Sequence, residues 1–323
     1  MKILIIQAEG MLPLRIRPDH VEKIQAVDER LRVSVVSEND QAQLDAQLQD
    51  CDILAGVPHT LPPLFHTKNL KWVHAFSAGV EWLLTPEIVH SSLLVSNSAG
   101  IHATPIGEHV LGFMLLFTRK FAVTFRNQQK KVWEKQQDLS ELQNKTVLVV
   151  GLGHIGEEVA RLAHCFGTKV LAVDRKGKEK PSFVEELGTQ EQLPFLLPQA
   201  DFVVLCLPYT KDTHHLFRKE QLHLMKSSAV LINIGRGGVI HEQELIDALQ
   251  NKVIGGAALD VTETEPLPSE SPLWNMENVV ITPHHSGWSE KYMDRAIDLF
   301  CENLKAFLEQ RPLPNLVDKT AGY

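Results

Sequence analysis

Between Lys145 and Arg175 the chain reads KTVLVV, then GLGHIG, then EEVARLAHCFGTKVLAVDR, and this stretch constrains the fold more than any other. Four of its first six residues are Val or Leu, an apolar run suited to a parallel strand buried on both faces. Gly151, Gly153 and Gly156 follow in G-x-G-x-x-G order. Ile155, Val159, Leu162 and Ala163 then recur at helical spacing, so the glycines sit at a strand-to-helix turn. A second apolar run, Lys169 to Val173, ends on Asp174.

Each part has a physical use. Gly151 permits a tight turn, Gly153 lets backbone approach a pyrophosphate, and Gly156 lets the helix pack close to the strand. His154 and Ile155 open the helix, whose N-terminus offers unpaired N–H groups and the positive end of its dipole to phosphates. A carboxylate at Asp174 can accept hydrogen bonds from ribose hydroxyls. The stretch predicts dinucleotide binding; an ordinary βαβ turn is the alternative that the glycines alone leave open.

At 323 residues the chain is long enough for about two domains. Its net charge of −8 gives no support for a nucleic-acid surface, and the basic runs at 126–135 and 175–180 read as solvated faces. Cys51, Cys165, Cys206 and Cys301 show no metal spacing and read as buried small apolar residues in a reducing compartment. No metal is expected. The N-terminal apolar run at 3–6 is too short for a signal peptide. VLGFMLLF at 110–117 falls far short of the roughly 20 residues of a membrane span. A cytoplasmic protein is expected.

The first hundred residues alternate strand-like runs (KILIIQ, LRVSVVS, CDILAG, LKWVHAF, LLVSN) with amphipathic segments at Asp19–Arg30 and Asn39–Asp50. Each segment opens on a residue able to cap a helix. Such alternation implies a parallel sheet covered on both faces. From Thr104, a candidate N-cap followed by Pro105, one long helix is expected over 104–125. Further strands are expected at 201–208, 229–235, 255–261 and 278–282, and a helix over Glu290–Gln310 that returns to the first domain. In an open α/β sheet, ligands bind beyond the carboxyl ends of the strands. Pro208, Arg236, Thr262 and Pro283 stand there.

Three of these strand ends suit reduction of a carbonyl beside a carboxylate. Arg236, among Gly235, Gly237 and Gly238, can make paired hydrogen bonds to a carboxylate or carbonyl. A histidine such as His284 passes a proton near neutral pH, and a neighbouring carboxylate stabilises its charged form. The residues alone do not single out one acid among Glu263, Glu265 and Glu270.

The ordered set GLGHIG…D, INIGRGGVI, ALDVTETEPLP and NVVITPHHSG closely resembles the D-isomer-specific 2-hydroxyacid dehydrogenase family. FSAGVEWL at 76–83 and NSAGIHATPIGEHVLGFML at 97–115 extend the resemblance over nearly the whole chain. It implies an α/β fold in which an NAD(P)-binding Rossmann domain, a doubly wound parallel sheet at 99–288, is inserted into a flavodoxin-like α/β substrate domain at 1–98 plus 289–323. It implies that Arg236 binds and polarises a 2-oxo acid, that His284 is the general acid and base, and that Glu265 keeps His284 protonated. Backbone at Ala78 and Gly79 would hold the substrate carboxylate. Thr104, Pro208, Thr213, Ile234, Gly235, Asp260 and His284 match positions near the coenzyme. The sequence departs from the family at Thr262, where many relatives carry an aromatic residue, and at His285, usually small or apolar; His284 keeps the motif register. Asp174 favours NAD, while Arg175 and Lys176 could attract the extra phosphate of NADP. The expectation is a cytoplasmic homodimer that interconverts small 2-oxo and D-2-hydroxy acids of glyoxylate, hydroxypyruvate or pyruvate type, without nucleic-acid or membrane partners. The alternative is a dinucleotide-sensing, corepressor-like protein.

Overall fold

The run KILIIQ forms β1 (Lys2–Gln7) and buries all four of its central residues, because the sheet it joins is covered on both faces. The computed structural model describes residues 1–56, 69–175 and 178–320. The chain divides into two compact units, Met1–His102 with Trp288–Tyr323, and Ala103–Gly287.

The first unit runs β1, α1 (Pro18–Gln25), β2 (Arg32–Ser37), α2 (Gln41–Leu48), β3 (Ile53–Gly56), β4 (Trp72–Ala75), α3 (Pro86–His90) and β5 (Leu94–Ser96). Its five strands are all parallel, in the order β2-β1-β3-β4-β5. Alternate residues feed two cores. Ile3, Ile5, Ile53 and Trp72 pack on one face with Phe300 and Leu304, and Leu4, Ile6, Leu54 and Val73 on the other with Leu44 and Ile88. Trp72 stacks on Phe300 at 5.2 Å between ring centres. His74, wholly buried, bonds Ser96 through Nδ1 and Ser98 through Nε2; burial pushes it down to about 3, so it is a neutral core residue.

The second unit holds α4 (Ala103–Thr118), α5 (Phe121–Gln129), β6 (Thr146–Val150), α6 (His154–Cys165), β7 (Lys169–Val173), β8 (Glu186–Gly188), α7 (Leu193–Leu196), β9 (Phe202–Leu205), α8 (Lys219–Leu224), β10 (Val230–Asn233), α9 (Glu242–Gln250), β11 (Gly256–Leu259) and β12 (Val279–Ile281). Its seven parallel strands lie in the order β12-β11-β10-β9-β6-β7-β8. The chain enters at β6, builds outward through β7 and β8, then crosses to β9 on the other side of β6. The strand order therefore reverses beside β6, where doubly wound sheets bind ligands. The closing helix α10 (Tyr292–Leu308) returns to the first unit, burying Ile297, Phe300, Leu304 and their neighbours.

Several sequence expectations are corrected. The helix expected over 104–125 is two, because Lys120 takes a left-handed backbone (φ 54°) between α4 and α5. Thr104 lies inside the first turn of α4 and is not its cap. Arg17 precedes α1 where Asp19 was the expected cap, and Asp40 caps α2 in place of Asn39 through its carboxylate and the Gln43 amide. The edge strand β8 had no apolar run to announce it. Cys165 is exposed, at the last position of α6, while Cys51 and Cys301 are buried. Among the described residues no helix is long and apolar enough to cross a membrane.

Candidate active site

The glycine turn follows β6 directly. Gly151 has φ +94°, and a Cβ there would lie 2.8 Å from the Cys206 carbonyl oxygen at the end of β9. At Gly156 a Cβ would meet the Gly151 oxygen at 1.9 Å, so helix and turn approach as only glycine allows. At Gly153, by contrast, the space in front of the turn is open, and Gly153 stands as N-cap with His154 and Ile155 in the first turn of α6. An open face over unpaired helix amides suits a pyrophosphate. Asp174 ends β7 with one carboxylate oxygen accepting the Leu152 amide at 2.7 Å, which pins it beside the turn. Its other oxygen accepts the amide of Arg175. Lys178, in a run expected to be a solvated face, bonds the Leu152 carbonyl and pairs with Glu157 at 2.9 Å. Lys176 lies outside the described residues.

The other cofactor positions follow the same strand ends. Thr213 bonds the Pro208 carbonyl at 2.7 Å and closes the turn after β9. Ile234 is buried beyond β10, its amide on the Leu205 carbonyl. Thr104 is exposed. Ala78 and Gly79 belong to the first unit, half-buried beyond β4. Asn97 donates to the Ala78 carbonyl at 2.8 Å. The amide of Gly79, in the same peptide plane, therefore points the opposite way.

Arg236 is aimed by a residue that sequence reading missed. Asn233, fully buried at the end of β10, accepts from the Gly235 amide at 3.1 Å and donates to the Arg236 carbonyl at 3.0 Å. The guanidinium donates to the Gly235 carbonyl at 2.9 Å. A Cβ on Gly237 would sit 1.9 Å from the Thr262 oxygen, so this turn lies directly against the segment that carries Glu265. One Glu265 oxygen accepts the Thr262 amide at 3.2 Å, and the other meets His284 Nδ1 at 2.7 Å. The peptide between Glu265 and Pro266 is cis.

The hydrogen bond to Glu265 holds His284 above its ordinary range, against burial and the positive charge of Arg236. Burial alone would raise Glu265, but the bond and charge of His284 outweigh it and keep the carboxylate below its usual range. Arg236 lowers the pKa of both groups, so the three charges act on one another within this unit. Half of the His284 side chain stays exposed, and 39% of Glu265. The imidazole, whose protonated form Glu265 favours, is therefore open to solvent. His285 is turned elsewhere: its ring packs edge-on to His109, at 5.7 Å between centres.

The NAD binding domain of the D-isomer specific 2-hydroxyacid dehydrogenases matches residues 111–286. The chain belongs to that family. A glyoxylate reductase from Korarchaeum cryptofilum is 32% identical over 283 residues, 84% of each chain. Among solved structures, a D-isomer specific 2-hydroxyacid dehydrogenase family protein from Aeromonas salmonicida has TM-score 0.87 at 31% identity, over 98% of this chain and 99% of that one. An NADPH-dependent glyoxylate/hydroxypyruvate reductase from Sinorhizobium meliloti, in complex with NADP and sulfate, has TM-score 0.83 at 29% identity over the whole of both chains. Like its family, the chain is an NAD(P)-dependent oxidoreductase whose Rossmann domain is inserted within an α/β substrate domain.

Proposed function

We propose that this D-2-hydroxyacid dehydrogenase reduces small 2-oxo acids of glyoxylate, hydroxypyruvate or pyruvate type, with Arg236, Glu265 and His284 as its working residues. The observation that carries the reading is the 2.7 Å bond between His284 Nδ1 and Glu265 within the electrostatic reach of Arg236. The reduced nicotinamide, when bound, supplies the hydride. Arg236 binds the carboxylate and polarises the carbonyl, since a guanidinium offers two parallel donors to such oxygens. With Nδ1 committed to Glu265, His284 gives its Nε2 proton to the carbonyl oxygen, and Glu265 stabilises the imidazolium until transfer. In the oxidative direction the neutral imidazole takes the proton back. Gly151, Gly153, His154, Ile155 and Gly156 hold the pyrophosphate and Asp174 the adenosine ribose. Thr104, Pro208, Thr213, Ile234, Gly235 and Asp260 line the rest of the coenzyme site. Ala78 and Gly79 supply amides to the substrate carboxylate. Asp174 favours NAD, because a carboxylate accepts from ribose hydroxyls but repels a phosphate; the NADP named for the Sinorhizobium relative makes NADP the coenzyme to test beside it.

The reading includes a homodimer. Phe121 and Phe125 stack on the surface of α5 with 43% and 55% exposure, and Trp133 is 95% exposed in the segment after it. An apolar patch of this kind is what a second subunit covers; sedimentation as a monomer at micromolar concentration would contradict it. Four free cysteines fit a reducing, cytoplasmic setting.

Consumption of NADH and NADPH with a panel of small 2-oxo acids tests the proposal. Turnover of at least one acid is expected; coenzyme binding with no turnover on any would favour a dinucleotide sensor.

A further inference from the structure

His284 sits on a turn that costs free energy to hold. Its backbone is left-handed (φ 49°), a conformation that disfavours residues other than glycine. Its amide bonds the Asp260 carbonyl at 2.9 Å and the Thr282 carbonyl at 3.0 Å. The Asp260 side chain, buried beyond β11, clamps the next two residues: it accepts the His285 amide at 3.1 Å and the Ser286 amide at 3.1 and 3.3 Å on its two oxygens. A fourth bond comes from the Thr282 hydroxyl, at 2.6 Å.

That last bond fixes a proton chain. A carboxylate only accepts, so the single hydroxyl proton of Thr282 goes to Asp260. The Thr282 oxygen lies 3.1 Å from Nε2 of His109, a half-buried residue of α4, and with its own proton spent it must accept there. Burial lowers the pKa of His109, with Asp260 opposing the effect and the neighbouring His285 adding to it. Thr282 therefore accepts the N–H at Nε2 of His109, whose neutral ring burial favours. His109, Asp260 and His285 bring ligand-type atoms within 4.8 Å of one another, yet Oδ1 of Asp260 already takes three N–H and O–H donors and Oδ2 shares the Ser286 N–H. The arrangement is a hydrogen-bonded relay and not a cation cage.

We infer that His109 is a positioning residue, which acts through Thr282 and Asp260 to hold the left-handed turn that presents His284 to Glu265. The inference rests on the proposed roles of His284 and Glu265, and deepens them. The side-chain hydrogen bonds of His109 and Thr282 run to each other and to Asp260, not to Arg236, Glu265 or His284. The relay keeps the Asp260 carboxylate aligned on the amides of residues 285 and 286, and through them the direction of the His284 ring.

The test follows the His284 imidazole by NMR titration of the full-length protein, its signal assigned by loss in His284→Gln. The charged groups that face this ring are Glu265, Arg236 and Asp260, and none is altered in the relay variants. His109→Phe, which keeps an aromatic ring beside Phe113 but no donor, should lower the His284 pKa and cut kcat by about tenfold, below the ~10²-fold cost of a 1 Å displacement. His109→Gln, whose side-chain N–H can reach the place of Nε2, should restore both. Thr282→Val and Thr282→Ser should repeat the loss and the rescue, and decide the matter if the phenylalanine variant does not fold. An unmoved His284 pKa in the Phe and Val variants, or a Gln variant no better than Phe, overturns the relay. Stoichiometric Zn²⁺ binding abolished by His109→Gln overturns it as well, since the ring nitrogen would then be a ligand. Glu265→Gln, titrated in parallel, separates the two levels: no movement there sinks the acid–base roles themselves, whereas movement there without movement in the relay variants sinks only the inference about His109.

Discussion

Alanine at Gly237 would place a methyl carbon 1.9 Å from the Thr262 oxygen, 2.0 Å from its carbonyl carbon and 2.5 Å from the Glu263 nitrogen. All three are backbone atoms, so no side chain can swing aside. To reach even 3.0 Å, the Arg236 turn and the segment before Glu265 must separate by about 1 Å. Thr262 also donates its amide to Glu265, so the shift passes directly to the partner of His284. A misplacement of this size costs on the order of 10²-fold in rate, or about 2.7 kcal/mol of transition-state stabilisation. The glycine turn after β6 is not touched, but Gly235 of the moved turn lines the proposed coenzyme site, so NADH binding should weaken by about threefold at most, or roughly 0.65 kcal/mol. Steady-state kcat/KM on the best 2-oxo acid, beside coenzyme titration by fluorescence quenching, reads both numbers. A variant that retains kcat/KM within threefold would refute the argument that these two segments are held in contact for catalysis.

Other replacements test single groups. His284→Gln should lower kcat by about 10²- to 10⁴-fold, the usual contribution of a general acid, and His285→Gln should not; the reverse result would reassign the acid. Reduction needs the protonated imidazole, so activity is present below the His284 pKa and lost as pH rises through it. Because Glu265 raises that pKa, Glu265→Gln should move the descending limb of the pH–rate profile to lower pH, and an unmoved limb would break the pairing. Asp174→Ala should raise the Michaelis constant for NADH relative to NADPH; an unchanged ratio would remove Asp174 from the ribose.

Regular periodicity made most of the fold legible. Each strand expected beside the nucleotide turn forms, because both faces are buried and such strands are written as continuous apolar runs. β8 was hidden, since Glu186–Gly188 is a three-residue edge strand with one buried position. The break at Lys120 was hidden because no glycine or proline marks it. At the site, motif order singles out the residues proposed to react, but not what holds them. Asn233, Asp260 and Thr282 act through hydrogen bonds that join separate strand ends, and no local spacing encodes such a bond. Lys178 shows the same limit: in sequence it is one cation in a charged run, and only folding brings it to the Leu152 carbonyl.

The account comes down to whether this chain moves hydride between a nicotinamide and C2 of a 2-oxo acid. Reduction of hydroxypyruvate or pyruvate with NADH deuterated at C4 of the nicotinamide, followed by chiral separation and mass spectrometry, measures that transfer directly. The account predicts deuterium at C2 of the D-2-hydroxy acid. An L product, or a product without the label from either C4 face of the coenzyme, would contradict it.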